Sequence, residues 1–273
     1  MKINFFKLAA AGNDFVAIDN RKKLINAANY ETLAKKLCHR HYGIGADGLL
    51  LLEKSAKHNF KMKYFNSDGS HAAMCGNGGR AIAKFASEIN AAKEDMVFDT
   101  DAGKVSANVR GDSVNLELYN PTDLDMELEV KAEDKTFSAD FINTGVPHAV
   151  IFVKDIEKIN VAKYGKIVRN AANFKPAGTN VNFVQVVDNK NILVRTYERG
   201  VEGETLACGT GVTAAACISG IKGFVKSPVN ITARGGDNLK VSFDITKTKG
   251  KVNVTNVYLE GPAVVSFKGE VVI

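Results

Sequence analysis

The feature that most constrains this chain is a repeat. Met74-Cys75-Gly76-Asn77-Gly78-Gly79-Arg80 runs into the apolar segment Ala81-Ile82-Ala83-Lys84-Phe85, and Ala207-Cys208-Gly209-Thr210-Gly211-Val212-Thr213 runs into Ala214-Ala215-Ala216-Cys217-Ile218. The interval that separates Cys75 from Cys208 also carries Gly12–Ile18 onto Gly145–Ile151, Gly45-Ala46-Asp47 onto Gly178-Thr179-Asn180, and Tyr64-Phe65-Asn66 onto Tyr197-Glu198-Arg199. No net gap separates these matches. Beyond them the register drifts, with Val114-Asn115-Leu116-Glu117 resembling Val257-Tyr258-Leu259-Glu260. A duplicated chain must build the same unit twice.

The grammar of each half predicts α+β architecture. Apolar alternation predicts strands at Ile3–Leu8 and Phe15–Asp19, matched by Phe137–Asn143 and Ala149–Phe152. A polar helical segment follows (Tyr30–His41; Ile159–Asn170), then a strand pair (Gly48–Glu53 with Lys61–Asn66; Asn182–Asp188 with Asn191–Glu198). The Cys turn next opens a helix of small and apolar residues, Gly78–Ile89 or Gly211–Ile221. Strands close each half at Met96–Thr100, Lys104–Val109 and Ser113–Leu118, or Val229–Ala233, Asn238–Asp244 and Lys251–Glu260. A helix as slim as Ala214-Ala215-Ala216 can be wrapped closely by a sheet. The expected fold is therefore two pseudo-symmetric lobes, each a curved mixed or antiparallel sheet around a central helix. The first lobe spans residues 1–120, with the tail 263–273 returning to it as a strand, and the second spans 121–262. The link is expected around Tyr119–Asp125.

Composition narrows the function classes. The 273 residues, 45% hydrophobic and 24% charged, suit a globular chain of one large or two medium domains. No apolar run approaches the about 18 residues of a membrane span, and Met1-Lys2-Ile3-Asn4-Phe5 begins like a strand, so neither span nor signal peptide is expected and the location is expected to be cytoplasmic. Four Cys in a chain this long do not make a disulfide scaffold. The net charge of +6 is spread thinly, without the basic stripe and interleaved aromatics of a nucleic-acid reader. No CxxC or HxxxH cluster invites a metal. Cys38 and Cys217 read as small buried hydrophobes, and His39, His41, His58 and His71 as surface or loop residues.

Cys75 and Cys208 are different. Glycines after each Cys let main-chain N–H groups converge on a ligand, and a helix starting there places its positive end beside the sulfur, favouring thiolate. A duplication that sets one Cys at the same point of each half can bring two sulfurs to opposite faces of one carbon. Inversion of a stereocentre that carries a proton needs that symmetry: one thiolate removes the proton and the opposite thiol delivers another. Amides of Gly76-Asn77 and Gly209-Thr210 would bind the substrate carboxylate and stabilise its developing charge, a donor of this kind being worth about 2.7–4 kcal/mol. Water must be excluded, because a hydrated thiol near its ordinary pKa of ~8.5 supplies little thiolate.

With these residues assembled, the chain resembles the diaminopimelate epimerase family over nearly its whole length. The carriers are Gly12-Asn13-Asp14-Phe15, His41–Gly48, Phe65–Ser70, Met74–Arg80, Tyr197-Glu198-Arg199-Gly200 and Gly203–Gly211. The resemblance implies interconversion of LL- and meso-diaminopimelate without cofactor or metal, with Cys75 and Cys208 as the acid–base pair. It implies that His148 and Glu198 assist the thiols, that the reacting end is bound at Gly76-Asn77 and Gly209-Thr210, and that Asn13, Asn66, Asn180, Glu198 and Arg199 contact the rest of the substrate. A homodimer is common in the family. Some members carry Gly-Asn-Pro-His where this chain has Gly145-Val146-Pro147-His148, and Gln where it has Gly48, so neither contact is carried over. An Arg fork suits a distal carboxylate, which favours this substrate over the smaller one of a proline or hydroxyproline racemase. A non-catalytic binding protein, or a metal site using Cys75, Cys208 and His148, leaves the Gly-rich helix starts unexplained.

Overall fold

The computed structural model describes residues 1–248 and 250–273. The chain forms two compact units, Met1–Glu117 with Glu260–Ile273, and Leu118–Leu259.

In the first unit the order is β1 (Lys2–Ala10), β2 (Asn13–Asp19), α1 (Tyr30–Cys38), β3 (Gly48–Glu53), β4 (Lys61–Asn66), α2 (Gly76–Glu88), β5 (Asp95–Thr100), β6 (Gly103–Arg110) and β7 (Ser113–Glu117). β1–β2, β3–β4, β5–β6 and β6–β7 pair antiparallel, whereas β2–β3 and β4–β5 are parallel. A parallel pair cannot be joined by a hairpin, so each is bridged by a helix: α1 carries the chain from β2 to β3, and α2 from β4 to β5. The two crossovers cover opposite faces of the sheet, which is why β3 is a run of leucines rather than an alternation. Leu49 and Leu51 join the cluster under α1, formed by Leu33, Ala34, Leu37 and Cys38 with Val16, Ile18 and Phe65. Leu50 turns instead toward Gly78 of α2, and all four leucines of the run are fully buried. Each contributes about 1.5–3 kcal/mol through that burial.

The second unit repeats the order with two added strands, one at its start and one before its second α-helix. It contains β8 (Thr122–Ala132), β9 (Lys135–Asn143), β10 (Pro147–Phe152), α3 (Val161–Arg169), β11 (Asn180–Val186), β12 (Asn191–Glu198), β13 (Gly203–Thr205), α4 (Gly209–Ile221), β14 (Val229–Ala233), β15 (Asn238–Thr248) and β16 (Lys251–Pro262). The parallel pairs are β10–β11, bridged by α3, and β12–β14, bridged by α4. The tail strand β17 (Val264–Val272) belongs to the first unit, where it lies antiparallel to β1 from Lys2↔Val272 to Ala9↔Val264.

Each unit encloses one helix. Every residue of α2 from Gly76 to Ala86 is buried, and the helix meets β1, β2, β3, β4, β6, β7 and β17. In α4, Gly209 and Gly211–Ser219 are buried, and the helix meets β9, β10, β11, β12, β14 and β15. The α+β expectation, with a sheet wrapped around a central helix in each half, holds.

One expected loop is a strand. The link expected around Tyr119–Asp125 runs into this strand: Thr122–Ala132 alternates outward Asp125, Glu127, Glu129 and Lys131 with inward Leu124, Met126, Leu128, Val130 and Ala132. Its pairing with β9 is interrupted by register shifts between Thr122 and Asp125 and between Asp125 and Leu128. Asp123 and Glu127 adopt positive φ at those irregularities, and the alternation of side chains nonetheless continues from Leu124 to Ala132. The two polar helices also stop earlier than expected, at Cys38 and Arg169.

Candidate active site

Both cysteines sit where a parallel crossover enters its buried helix. Cys75 is the N-cap of α2, with extended backbone (φ −144°, ψ 125°), and its Sγ accepts the Gly78 N–H at 3.4 Å. A sulfur receiving an amide proton at the positive end of a helix is stabilised as the anion. Cys208 is the N-cap of α4, and its Sγ lies 3.4 Å from Thr210 Oγ1. Both are half-buried, whereas Cys38 and Cys217 are sealed and burial pushes each of those thiols up to about 12.

Around Cys75 a chain of amides ties the helix to the strands. Asn77 is buried; its Nδ2 donates to Asn13 Oδ1 at 2.7 Å and to the Ala11 carbonyl at 3.3 Å, and its Oδ1 accepts from Arg80 at 2.7 Å. Asn13 in turn donates to Asp47 Oδ2 at 2.9 Å. Arg40 grips Asp47 at 2.6 Å and Asp14 at 2.9 Å, and Lys7 reaches Asp14 at 2.8 Å. Burial works to raise the Asp14 pKa, but the hydrogen bonds and charges of Arg40 and Lys7 win and hold it at about 2. Asn66, at the end of β4, accepts from the Tyr64 hydroxyl at 2.7 Å and donates to Ser70 Oγ at 2.9 Å. Burial, reinforced by the nearby Cys75 charge, pushes the Tyr64 phenol upward. Gly48 is fixed by this ring: a Cβ there would stand 2.5 Å from Tyr64 Cε2.

Around Cys208 the partners are a carboxyl and an imidazole. Burial pushes the Glu198 carboxyl up, against hydrogen bonds from Thr205 and the Cys208 thiol. His148 is fully buried, and among the described residues its Nε2 has no hydrogen-bond partner. Burial, then the Arg199 charge, lowers its pKa to about 3, so the ring is neutral. An unpaired buried donor costs about 1–3 kcal/mol. Asn180 donates to the Pro147 carbonyl at 3.1 Å and accepts the Arg199 backbone N–H at 2.8 Å, while the Arg199 guanidinium reaches the Ala177 carbonyl at 3.1 Å. Gly209 and Thr210 open α4, and the Thr210 carbonyl accepts from Thr144 at 3.0 Å.

The structure therefore brings Asn13 and Asn77 together near the start of α2, and Glu198 to the Cys208 thiol, with Arg199 next in the chain. Asn66 ends β4, next to the Tyr64 ring that feels the Cys75 charge. Sequence reasoning passed over Tyr64, Asp47, Asn182 and Thr196. Two of these, Asn182 and Thr196, are polar residues buried inside strands, and that was their only signal. Among the described residues no group of three or more His, Cys, Asp or Glu side chains is placed to hold a metal ion. A cavity of about 470 Å³ in the second unit is bounded by Phe141, Pro147, Phe174 and Ala177 and touches neither sulfur.

Solved structures share the fold. The protein shares its fold with a Bacillus anthracis phenazine biosynthesis protein of the PhzF family (TM-score 0.76, 15% identity, 100% of both chains). It also shares it with a hydroxyproline epimerase from Agrobacterium vitis (TM-score 0.73, 16% identity, 99% of this chain and 92% of the other). At such identities the likeness is one of fold. Closer in sequence, a protein named diaminopimelate epimerase from Aquifex aeolicus is 43% identical over 285 residues, covering 98% of this chain and 97% of the relative. Another of that name from a Hydrogenobaculum species is 40% identical over 275 residues, 96% of each. The family model for diaminopimelate epimerase matches residues 5–123 and 141–264. The chain belongs to the diaminopimelate epimerase family and is an isomerase.

Proposed function

We propose that the protein interconverts LL- and meso-diaminopimelate by a cofactor-independent two-base mechanism, serving lysine and cell-wall precursor synthesis in the cytoplasm. The observation that carries this reading is the recurrence of one device: in each unit a half-buried cysteine caps a buried helix whose first amides come from Gly76-Asn77 or Gly209-Thr210. The chemistry requires one sulfur on each face of the Cα. In one direction Cys75 or Cys208, as thiolate, takes the Cα proton while the other, as thiol, delivers a proton to the opposite face; in the reverse direction the roles exchange. Glu198 receives the Cys208 proton when that thiol must become the base, and His148 assists at the same helix end.

The developing dianion is held by the amides at the two helix starts, each donor being worth about 2.7–4 kcal/mol in the transition state. Asn13, Asn66, Asn180 and Arg199 bind the distal amino-acid end, where the Arg199 fork suits a carboxylate. The active form is a homodimer, a point that light scattering checks.

Cys75→Ala and Cys208→Ala should each abolish epimerisation of both stereoisomers while circular dichroism shows an unchanged fold. Substantial turnover by either variant would remove the two-thiol mechanism. Cα exchange with proline but not with diaminopimelate in deuterated water would replace the substrate.

A further inference from the structure

We propose that Asn182 is a positioning residue that locks His148 in its Nε2–H form, so that the ring offers one neutral hydrogen-bond donor to the anion at the N-terminus of α4. The inference rests on the two-thiol reading, in which that helix end holds either the Cys208 thiolate or the substrate carboxylate.

The argument begins with an amide that has no choice of orientation. Asn182 is fully buried on β11. Its Nδ2 lies 3.1 Å from the Ala149 carbonyl and 3.1 Å from His148 Nδ1. A backbone carbonyl only accepts, so the NH₂ end must face Ala149, and the opposite orientation would set oxygen against oxygen. The other end agrees, because Asn182 Oδ1 accepts from the buried Thr196 hydroxyl at 2.9 Å. The amide therefore donates to Nδ1, which must be the ring's lone-pair nitrogen. In a neutral imidazole the proton then resides on Nε2.

That Nε2–H is sealed from water and, among the described residues, meets no acceptor. The fold thus builds a three-residue relay, Thr196 to Asn182 to His148, that ends in the Nε2–H donor. The relay also lies against the sulfur-bearing helix. A Cβ on Gly211 would stand 2.4 Å from Asn182 Oδ1 and 3.3 Å from Cys208 Sγ. The charged groups on the surrounding elements leave the ring neutral. Arg199 opposes protonation of His148. Asp140 on β9 is paired with Lys222 at 3.2 Å, and Glu198 is engaged by Thr205 and the Cys208 thiol. His148 accordingly works as a fixed donor and not as a titrating base.

Long-range ¹H–¹⁵N correlation spectra of the native protein test this directly, with His148→Gln assigning the ring among the five histidines. The expected pattern is a protonated Nε2 and a bare Nδ1, unchanged from about pH 5.5 to 9, a range that spans the ordinary His pKa. A proton on Nδ1, or an imidazolium titrating near neutrality, would overturn the proposal. Asn182→Asp turns an acceptor toward Nδ1; the ring should gain a proton there, and the kcat–pH profile should acquire an ionisation that the native enzyme lacks. Asn182→Leu removes the donor, and kcat should fall about tenfold to a hundredfold with KM changed less than about threefold. Native kcat together with a native ring pattern in both variants would also overturn it.

The pH dependence of Cys208 alkylation, measured in a Cys75→Ala background, identifies the acceptor. A slower thiolate appearance in Asn182→Leu points to the sulfur, and an unchanged one to the substrate carboxylate. Activity retained by Cys208→Ala would sink the two-thiol reading instead, while the ring pattern is read without substrate and stands or falls separately.

Discussion

Asp14 shows how charge holds a neutral side chain in place. Its carboxylate and that of Asp47 share Arg40, and Asp47 orients Asn13. The folded pKa of about 2 lies below the ordinary 3.8, so the carboxylate stabilises the fold fully above pH about 4 and progressively less as pH falls toward 2. Asp14→Asn should cost about 1–2 kcal/mol at pH 7, discounted for the quarter of the side chain open to solvent. Denaturant melts should show that difference shrinking between pH 4 and pH 2. Glu198 behaves oppositely, since burial raises its pKa and ionisation works against the fold. Glu198→Gln should therefore leave the melting temperature equal or higher while kcat drops about 10²-fold or more, the usual worth of a positioned acid or base. Cys75, Cys208 and Arg199 could be singled out in the sequence because the repeat set them in context. Asn182 could not, because a polar residue in an apolar strand has no meaning until its cross-strand neighbours, His148 and Thr196, are known.

At the scale of elements, the crossovers decide where sulfur can go. Each buried helix lies on the crossover between two parallel strands, so Cys75 comes after β4, and Cys208 comes after β12 and the short strand β13. Gly211→Ala tests how tightly that junction is built. Its Cβ would press on a buried amide and on the Cys208 sulfur, so the variant should lose about 1–3 kcal/mol in denaturant melts and most of its activity. Gly203→Ala, with open space around the added carbon, should change neither. Strands β3, β4, β12 and β14 were legible to the residue, from an apolar run in β3 and from alternation of apolar and polar residues in the others. β8 was not, although its side chains alternate from Leu124 to Ala132, and β13 is only three residues long, paired to β12 and packed against α3.

At the scale of the whole molecule, the duplication made the fold class readable, since two copies of one pattern corroborate each other. It could not reveal which residues bury both faces of a strand, and so left the sealed pocket of His148 unforeseen. Using two sulfurs has a kinetic signature. In deuterated water, turnover from either stereoisomer should place one deuteron at the inverted Cα, while substrate recovered early stays unlabelled. Equal labelling of recovered substrate and product, read by mass spectrometry, would indicate a single base acting on both faces.

The division of labour proposed between helices and strand ends has an evolutionary corollary. α2 and α4 begin at Cys75 and Cys208, whereas Asn13, Asn66, Asn180 and Arg199 stand at the start of β2, the end of β4, the start of β11 and just beyond β12. On the proposed reading, reach and chemistry are written in separate parts of the chain. A descendant would then trade its long diacid for a shorter or bulkier amino acid by altering those four strand-end positions, and keep the two helix starts untouched.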